Sequence, residues 1–120
     1  MNNDEAVAFA EQWAKDWNNH DVEALLSHFA DDVVFTSPLA GRLFPESGGV
    51  VRGKDALRRY WGEGVRRNPA LRFKVRGVYA GVDTVVIHFR TEKGTEQCEV
   101  LTFGDGLVRT GHGTYPTGNG

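Results

Sequence analysis

At 120 residues the chain has the size of one compact domain, long enough to bury a core without disulfides or a structural metal. Its 14 basic and 16 acidic side chains leave a net charge of -2, too few surplus cations for a nucleic-acid binder. The lone Cys98 excludes an intramolecular disulfide, and four histidines with no cysteine partners form no spaced zinc pattern, so neither metal nor cofactor is expected.

The first ten residues, MNNDEAVAFA, are acidic and hold no apolar stretch of signal-peptide length. No apolar run approaches the ~20 residues of a membrane span, so a cytoplasmic protein with no membrane partner is expected. These residues instead open a helix. Asn2 and Glu5 fit a capping box, and Ala6, Ala10, Trp13, Ala14 and Trp17 share one face of a helix running to about Asn18. Glu11, Lys15 and Asp16 are left on the wet side. Asp21 is a good N-cap for a second, short helix whose apolar set is Val22, Leu25, Leu26 and Phe29. Val33 to Thr36, β-branched and aromatic, then reads as a short strand stopped by Pro38.

Residues 37–53 hold two prolines and four glycines and read as a long loop of the kind that serves as a lid or pocket wall. A third helix follows, with Asp55 in its first turn, Arg66 and Arg67 in its last, and Leu57, Tyr60, Trp61 and Val65 as its buried stripe. Gly62 and Gly64 each cost that helix ~1 kcal/mol of propensity, which points to close packing at both. From Leu71 the period becomes two: Leu71, Phe73 and Val75 alternate with Arg72, Lys74 and Arg76, and Gly77 marks a bulge before Val78 and Tyr79. Three more strands, 82–91, 96–103 and 107–115, are separated by the hairpin signals Lys93-Gly94 and Asp105-Gly106, and residues 116–120 read as a frayed tail. Helices first and a meandering sheet after predict a single α+β domain over residues 1–120, with three N-terminal helices on the concave face of a curved, mainly antiparallel sheet.

The string AEQWAKDWNNHDVEALLSHFADDVVFTSP, followed by GVVRGKDALRRYW, resembles the NTF2-like superfamily in its SnoaL-like branch. The shared pattern is helix, N-x-H/G-D turn, helix, F-A-D-D strand, lid loop and R-G-x-x-A-L at the third helix; with the later D-G turn it spans residues 5–115. The resemblance implies a cystatin-like cone whose sheet wraps the helices around a pocket, and a homodimer that covers the sheet's outer face. Its members include ketosteroid isomerases, polyketide cyclases, epoxide hydrolases, dehydratases and non-catalytic transport or assembly factors, so function has to come from the site.

In that resemblance Ser37-Pro38 stands where the isomerases carry an Asp-Pro general base, and Trp13 and Trp61 stand where they carry tyrosines. A serine hydroxyl does not take a proton from carbon without a strong base beside it, and an indole N–H donates a hydrogen bond without being an acid. The steroid-isomerase constellation is therefore largely missing. Glu99 falls where the isomerases hold a protonated Asp and where the epoxide hydrolases hold an Asp two residues after an Arg; Gln97 takes the place of that arginine. By alternation Gln97, Glu99, Leu101 and Phe103 share an inward face, where desolvation raises a carboxyl pKa and makes Glu99 a candidate acid, base or hydrogen-bond donor. The plainer alternative is a Glu99 at the sheet edge or a dimer contact, paired with an arginine.

His20 and His28 read as solvated, whereas His88 and His112 depend on hairpin register. A turn with Gly94 as its bulge residue buries Val85, Ile87 and Phe89 beside Glu99 and turns His88 out; a two-residue Lys93-Gly94 turn puts His88 opposite Glu99. The first is preferred because it buries three apolar side chains. A tight Asp105-Gly106 turn makes a Glu99–His112 dyad, while a three-residue loop turns His112 outward and brings in Tyr115. Arg72, Lys74, Arg76 and Arg109 are assigned to the outer sheet face, and Cys98 alternates away from the inward set.

Three functions follow. The first is a binder of a small, largely apolar molecule, in a cavity of roughly 300 Å³ or more bordered by Trp13, Trp17, Phe35, Trp61, Leu101 and Tyr115. The second is a metal-independent acid/base enzyme of isomerase, cyclase, dehydratase or epoxide hydrolase type, working through Glu99 with or without His112. The third is a non-catalytic homodimeric interaction module using the sheet's outer face. The aromatic stripe and the long loop favour the first.

Overall fold

A computed structural model of the chain describes residues 1–117; the frayed tail expected at 116–120 lies mostly outside them. Among the described residues the elements run α1 (Asn3–Asn18), α2 (Val22–Leu26), β1 (Phe29–Thr36), α3 (Pro38–Leu43), β2 (Val50–Arg52), α4 (Lys54–Arg67), β3 (Phe73–Ala80), β4 (Thr84–Thr91), β5 (Glu96–Gly104) and β6 (Leu107–Thr114). The strands form one sheet in the order β2-β1-β6-β5-β4-β3, antiparallel throughout except for the parallel pair β1·β6. This is the α+β arrangement expected, with N-terminal helices and a mixed, mostly antiparallel sheet. No helix among the described residues is long and apolar enough to cross a membrane.

The local signals for α1 and α2 act as read. Asn2 Oδ1 accepts from Glu5 N at 2.8 Å while Asn2 N donates to Glu5 Oε1 at 3.2 Å, closing the capping box of α1. Asp21 Oδ1 accepts from Ala24 N at 3.1 Å at the start of α2. Asp16 departs from expectation: it is buried, because the chain doubles back at 19–21 and covers that side of α1. Its Oδ1 accepts from Gln12 Nε2 at 2.8 Å, while Oδ2 has no hydrogen-bond partner, His28 Nε2 standing 3.7 Å off. Phe29 also departs, belonging to β1 rather than to the α2 stripe. The Ser27 hydroxyl donates to Ala24 O at 2.6 Å at the helix end, and the carbonyl of His28 accepts from Val108 N at 2.9 Å, so pairing with β6 begins there.

Residues 37–53 are a folded segment rather than an irregular loop. Ser37 Oγ accepts from Leu39 N at 3.2 Å and caps α3, Pro38 fills its first turn, and β2 adds an edge strand in register Phe35↔Val51. A six-residue helix and a three-residue strand are too short to impose a readable period. The glycines of α4 are also not packing points: a Cβ at Gly62 or Gly64 would meet nothing within 4 Å.

Alternation along β4 buries Val85, Ile87 and Phe89, facing the helices. The β4–β5 hairpin has the three-residue loop 92–94, closed by Thr91 N donating to Thr95 O at 2.9 Å, with Gly94 at φ 82°. This fixes Ile87↔Glu99 and turns His88 outward. The β5–β6 turn is tight, with Asp105 at φ 55° and Gly106 at φ 79°, but Arg109 is extruded as a bulge between Phe103↔Val108 and Thr102↔Thr110. That one extra residue puts Val100, not Glu99, opposite His112. α1 packs on β3, and α4 packs on β1, β2 and α2. Neither helix-side histidine is simply solvated. His20 Nε2 lies 2.9 Å from Leu71 O, beside an Asn18 side chain that brackets the backbone of Phe73; half-buried His28 meets the Phe9 ring edge at 5.6 Å between centroids.

Candidate functional site

A cavity of about 390 Å³ lies on the helix-bearing face of the sheet. Trp17 of α1, Phe35 of β1, Tyr60 and Trp61 of α4, Phe73 of β3, Phe89 of β4 and Tyr115 form its aromatic walls. Leu39, Arg42 and Leu43 from α3, within the segment expected to be a loop, close one side. The exposed Arg67, Glu92 and Lys93 stand at the mouth. Trp61 meets its aromatic neighbours edge to face, while Phe73 and Phe89 are tilted at 45° to each other. Trp17 meets Trp61 at 5.2 Å between centroids, Trp61 meets Phe35 at 5.6 Å, and Phe73 meets Phe89 at 4.6 Å.

Two residues expected on the cavity wall lie behind it. Trp13 is one turn earlier on α1 than Trp17, about 6 Å deeper along the axis, and is sealed between Phe73 at 5.6 Å and Phe89 at 5.0 Å. Leu101 is two residues beyond Glu99 on β5, fully buried beside Gly111 and Phe35. Trp17, Phe35, Trp61 and Tyr115 do border the cavity.

Trp13 contributes through its polar edge. Its Nε1–H donates to Glu99 Oε2 at 2.8 Å, across 86 residues of chain. Glu99 is 6% exposed and lines the cavity, and Trp13 is its one hydrogen-bond donor among the described residues. Burial pushes the carboxyl up to about 7 from an ordinary 4.5, with the Trp13 N–H opposing part of the rise. Facing inward, Glu99 makes no pair with an outer-face arginine. A carboxyl in this state is half protonated near neutral pH and can donate as well as accept.

A second polar feature joins two residues 23 apart that no local pattern in the sequence ties together. Tyr60 O–H donates to Ser37 Oγ at 3.0 Å, with both side chains buried on the cavity wall. Burial pushes the Tyr60 phenol up, the bond to Ser37 opposing it, so the hydroxyl stays neutral. The buried Trp17 Nε1 has no hydrogen-bond partner.

The Glu99–His112 dyad does not form. His112 faces the other side of β6, with Nδ1 at 2.6 Å from Thr36 Oγ1. His88 is likewise outward, 2.8 Å from Glu96 Oε1, in a cluster where Arg76 and Arg90 also approach Glu96. Among the described residues no three His, Cys, Asp or Glu side chains gather closely enough to hold a metal ion.

Residues 10–115 match the family described as SnoaL-like domain. Among solved structures the chain is similar to a SnoaL-like protein of unknown function from Burkholderia thailandensis, at 38% identity and a TM-score of 0.91 over 97% of this chain and 98% of that one. It is similar in fold to an NTF2-like protein of unknown function from Burkholderia pseudomallei, at 18% identity and a TM-score of 0.71 over 98% and 93% of the two chains. It is also similar in fold to TerC, co-crystallised with polyporic acid, at 19% identity and a TM-score of 0.72 over 96% and 91%. No curated protein matches the chain in sequence.

Proposed function

The chain belongs to the SnoaL-like domain family, and from that footing we propose that it binds a small, largely apolar molecule carrying an oxygen function. The observation that carries this reading is Glu99: a buried carboxyl with a single protein donor, opening on a cavity walled by aromatic rings. Apolar walls supply affinity by removing ligand surface from water, and one buried polar group fixes orientation. The Trp13 N–H occupies Oε2, which leaves Oε1 to carry the proton and donate it to a ligand oxygen. TerC, which shares the fold, was co-crystallised with polyporic acid, and this supports a small organic ligand for the same architecture.

The same carboxyl favours a second reading, in which the bound molecule is also transformed. A group with a pKa near 7 is matched to general acid or base work at neutral pH, so Glu99 would act alone, without His112. The expected homodimer is part of the proposal as well. Val86, Cys98, Val100 and His112 leave the outer face of the sheet half-buried and mixed in polarity, and light scattering that finds a concentration-independent monomer rejects it.

A matched ligand pair tests the binding reading. By tryptophan fluorescence and calorimetry at pH 6, 2-acetylnaphthalene is expected to bind about tenfold more tightly than naphthalene, because only the ketone meets the protonated Glu99. At pH 8.5 that advantage disappears. If neither compound binds at either pH, the reading fails.

A further inference from the structure

We propose that the cavity takes an apolar molecule bearing a carboxylate at its outer end, the body held among the aromatic rings and the charge held at the rim by Arg42, Arg67 and Lys93. The inference rests on the ligand-binding reading above and adds to it the charge of the ligand and the direction in which it enters.

The lining divides by exposure. Among the described residues that line the cavity, four are exposed: Arg42 of α3, Arg67 at the end of α4, and Glu92 and Lys93 in the β4–β5 hairpin. Three of these four are cations, on a chain whose net charge is -2. They come from three separate elements and meet on one cavity.

Existing partners decide which of these charges is left over. Glu92 is already engaged on both oxygens, Oε2 accepting from Asn68 Nδ2 at 3.0 Å and Oε1 from Arg72 N at 3.0 Å. Arg67 is held by its Nε, which donates to Glu63 Oε1 at 2.6 Å, while its terminal nitrogens have no partner among the described residues. Glu63 is shared with Arg66, so one carboxylate answers two guanidinium groups. That surplus outweighs the roughly half negative charge at the C-terminal end of α4. Arg42 and Lys93 make no ion pair among the described residues, and the Arg42 guanidinium lies 6.0 Å from the centroid of the Tyr115 ring. The rim is therefore positive, with N–H donors that no protein carboxylate takes up.

The interior sets the direction of entry. The buried and half-buried lining residues include no cation, and the carboxyl among them is Glu99. A carboxylate carried inward would lose its water with no opposite charge to replace it. Entering with its apolar end first, the ligand keeps that charge at the rim, where three cations attract and hold it.

2-Naphthylacetate and its neutral isostere 2-naphthylacetamide test this at pH 6, where an ordinary carboxylic acid is ionised and Glu99 is mostly protonated. In about 20 mM salt the acid is expected to bind about tenfold more tightly than the amide, falling to about twofold in about 0.5 M salt. Exposed ion pairs are individually weak, so the gain needs the cations together. The double substitution Arg42→Gln, Lys93→Gln should cut the acid's advantage over the amide to about threefold or less. Equal affinities for acid and amide in the wild-type protein, or a tenfold advantage that survives the double substitution, overturn the rim site and leave the cavity reading standing. Failure of acid, amide and naphthalene alike to bind the wild-type protein overturns both.

Discussion

Gly111 and Gly113 stand two residues apart on one face of β6, in the same sheet, yet their surroundings are opposite. In the row through Gly111, Phe35 lies to one side and Leu101, then Val85, to the other. The Phe35 ring fills the missing side chain so fully that a Cβ would lie 2.6 Å from Phe35 Cδ2, 2.8 Å from Cε2 and 3.0 Å from Leu101 Cδ2. In the row through Gly113, Ser37 replaces the ring and Glu99 replaces the leucine, a Cβ would meet Ser37 Oγ only at an ordinary 3.4 Å, and both flanking side chains line the cavity. One step of the pleat, about 7 Å, separates close-packed core from cavity. A pocket here needs no change of backbone, only a short polar side chain where the previous row has an aromatic one.

The largest expected effect breaks the closed row. Gly111→Ala forces Phe35 and Leu101 apart against Trp61 and Tyr60, and should cost upward of ~3 kcal/mol in urea unfolding. A small cost would mean that Phe35 moves freely and that the two rows form one continuous void, ending the contrast. Next is the ionisation of Glu99 in the open row. Its folded pKa of about 7 lies above the ordinary 4.5, so the folded chain holds the proton more tightly than the unfolded one. Stability from this group is therefore fully present below pH 4.5, falls as pH rises to 7, and is level beyond, a loss of roughly 3 kcal/mol. Glu99→Gln removes the slope: near-equal stability at pH 4.5, and a variant more stable than wild type by about that amount at pH 8. Parallel unfolding profiles would show that Glu99 is solvated.

Ser37→Ala has a smaller effect on stability. It removes the cap of α3, about 1 kcal/mol, and leaves the buried Tyr60 hydroxyl without its acceptor, about 1 kcal/mol more. Tyr60→Phe in the Ser37→Ala background should restore the second part but not the first. Strict additivity of the two substitutions would show that the hydroxyls do not depend on each other.

These rows also mark where sequence reading succeeds and stops. The inward face of β4 and β5 was legible because Val85, Ile87, Phe89, Glu99 and Leu101 alternate and Gly94 sets the hairpin. The capping box and the aromatic stripe were legible because each is a local or periodic signal. The sequence does not decide the side of His112, which depends on the bulge at Arg109, an extra residue with no glycine or proline to mark it. Depth was not legible either: Trp13 and Trp17 occupy equivalent positions on one stripe, and only the tertiary packing of Phe73 and Phe89 buries one and exposes the other to the cavity. The Ser37–Tyr60 bond joins residues 23 apart through a helix too short to predict.

The smallest expected effect sharpens the contrast between open and closed volume within α4. Gly62 and Gly64 both sit in the helix interior, where glycine costs up to ~1 kcal/mol relative to alanine, and neither has an atom within 4 Å of a Cβ position. Close packing is therefore not what the two glycines provide, and each alanine should stabilise the fold by about 0.5–1 kcal/mol. They differ in what they face: Gly64 lines the cavity and Gly62 does not. Gly62→Ala should raise Tm and leave 2-acetylnaphthalene affinity unchanged, whereas Gly64→Ala should raise Tm by a similar amount and alter affinity by taking volume from the cavity wall. Equal affinities in the two variants would place the ligand away from α4, toward the Ser37 and Glu99 end. A fall in Tm for Gly64→Ala would mean that something not bound in the cavity packs on that glycine. Measured together, the pair separates a glycine retained for ligand room from one that merely weakens its helix.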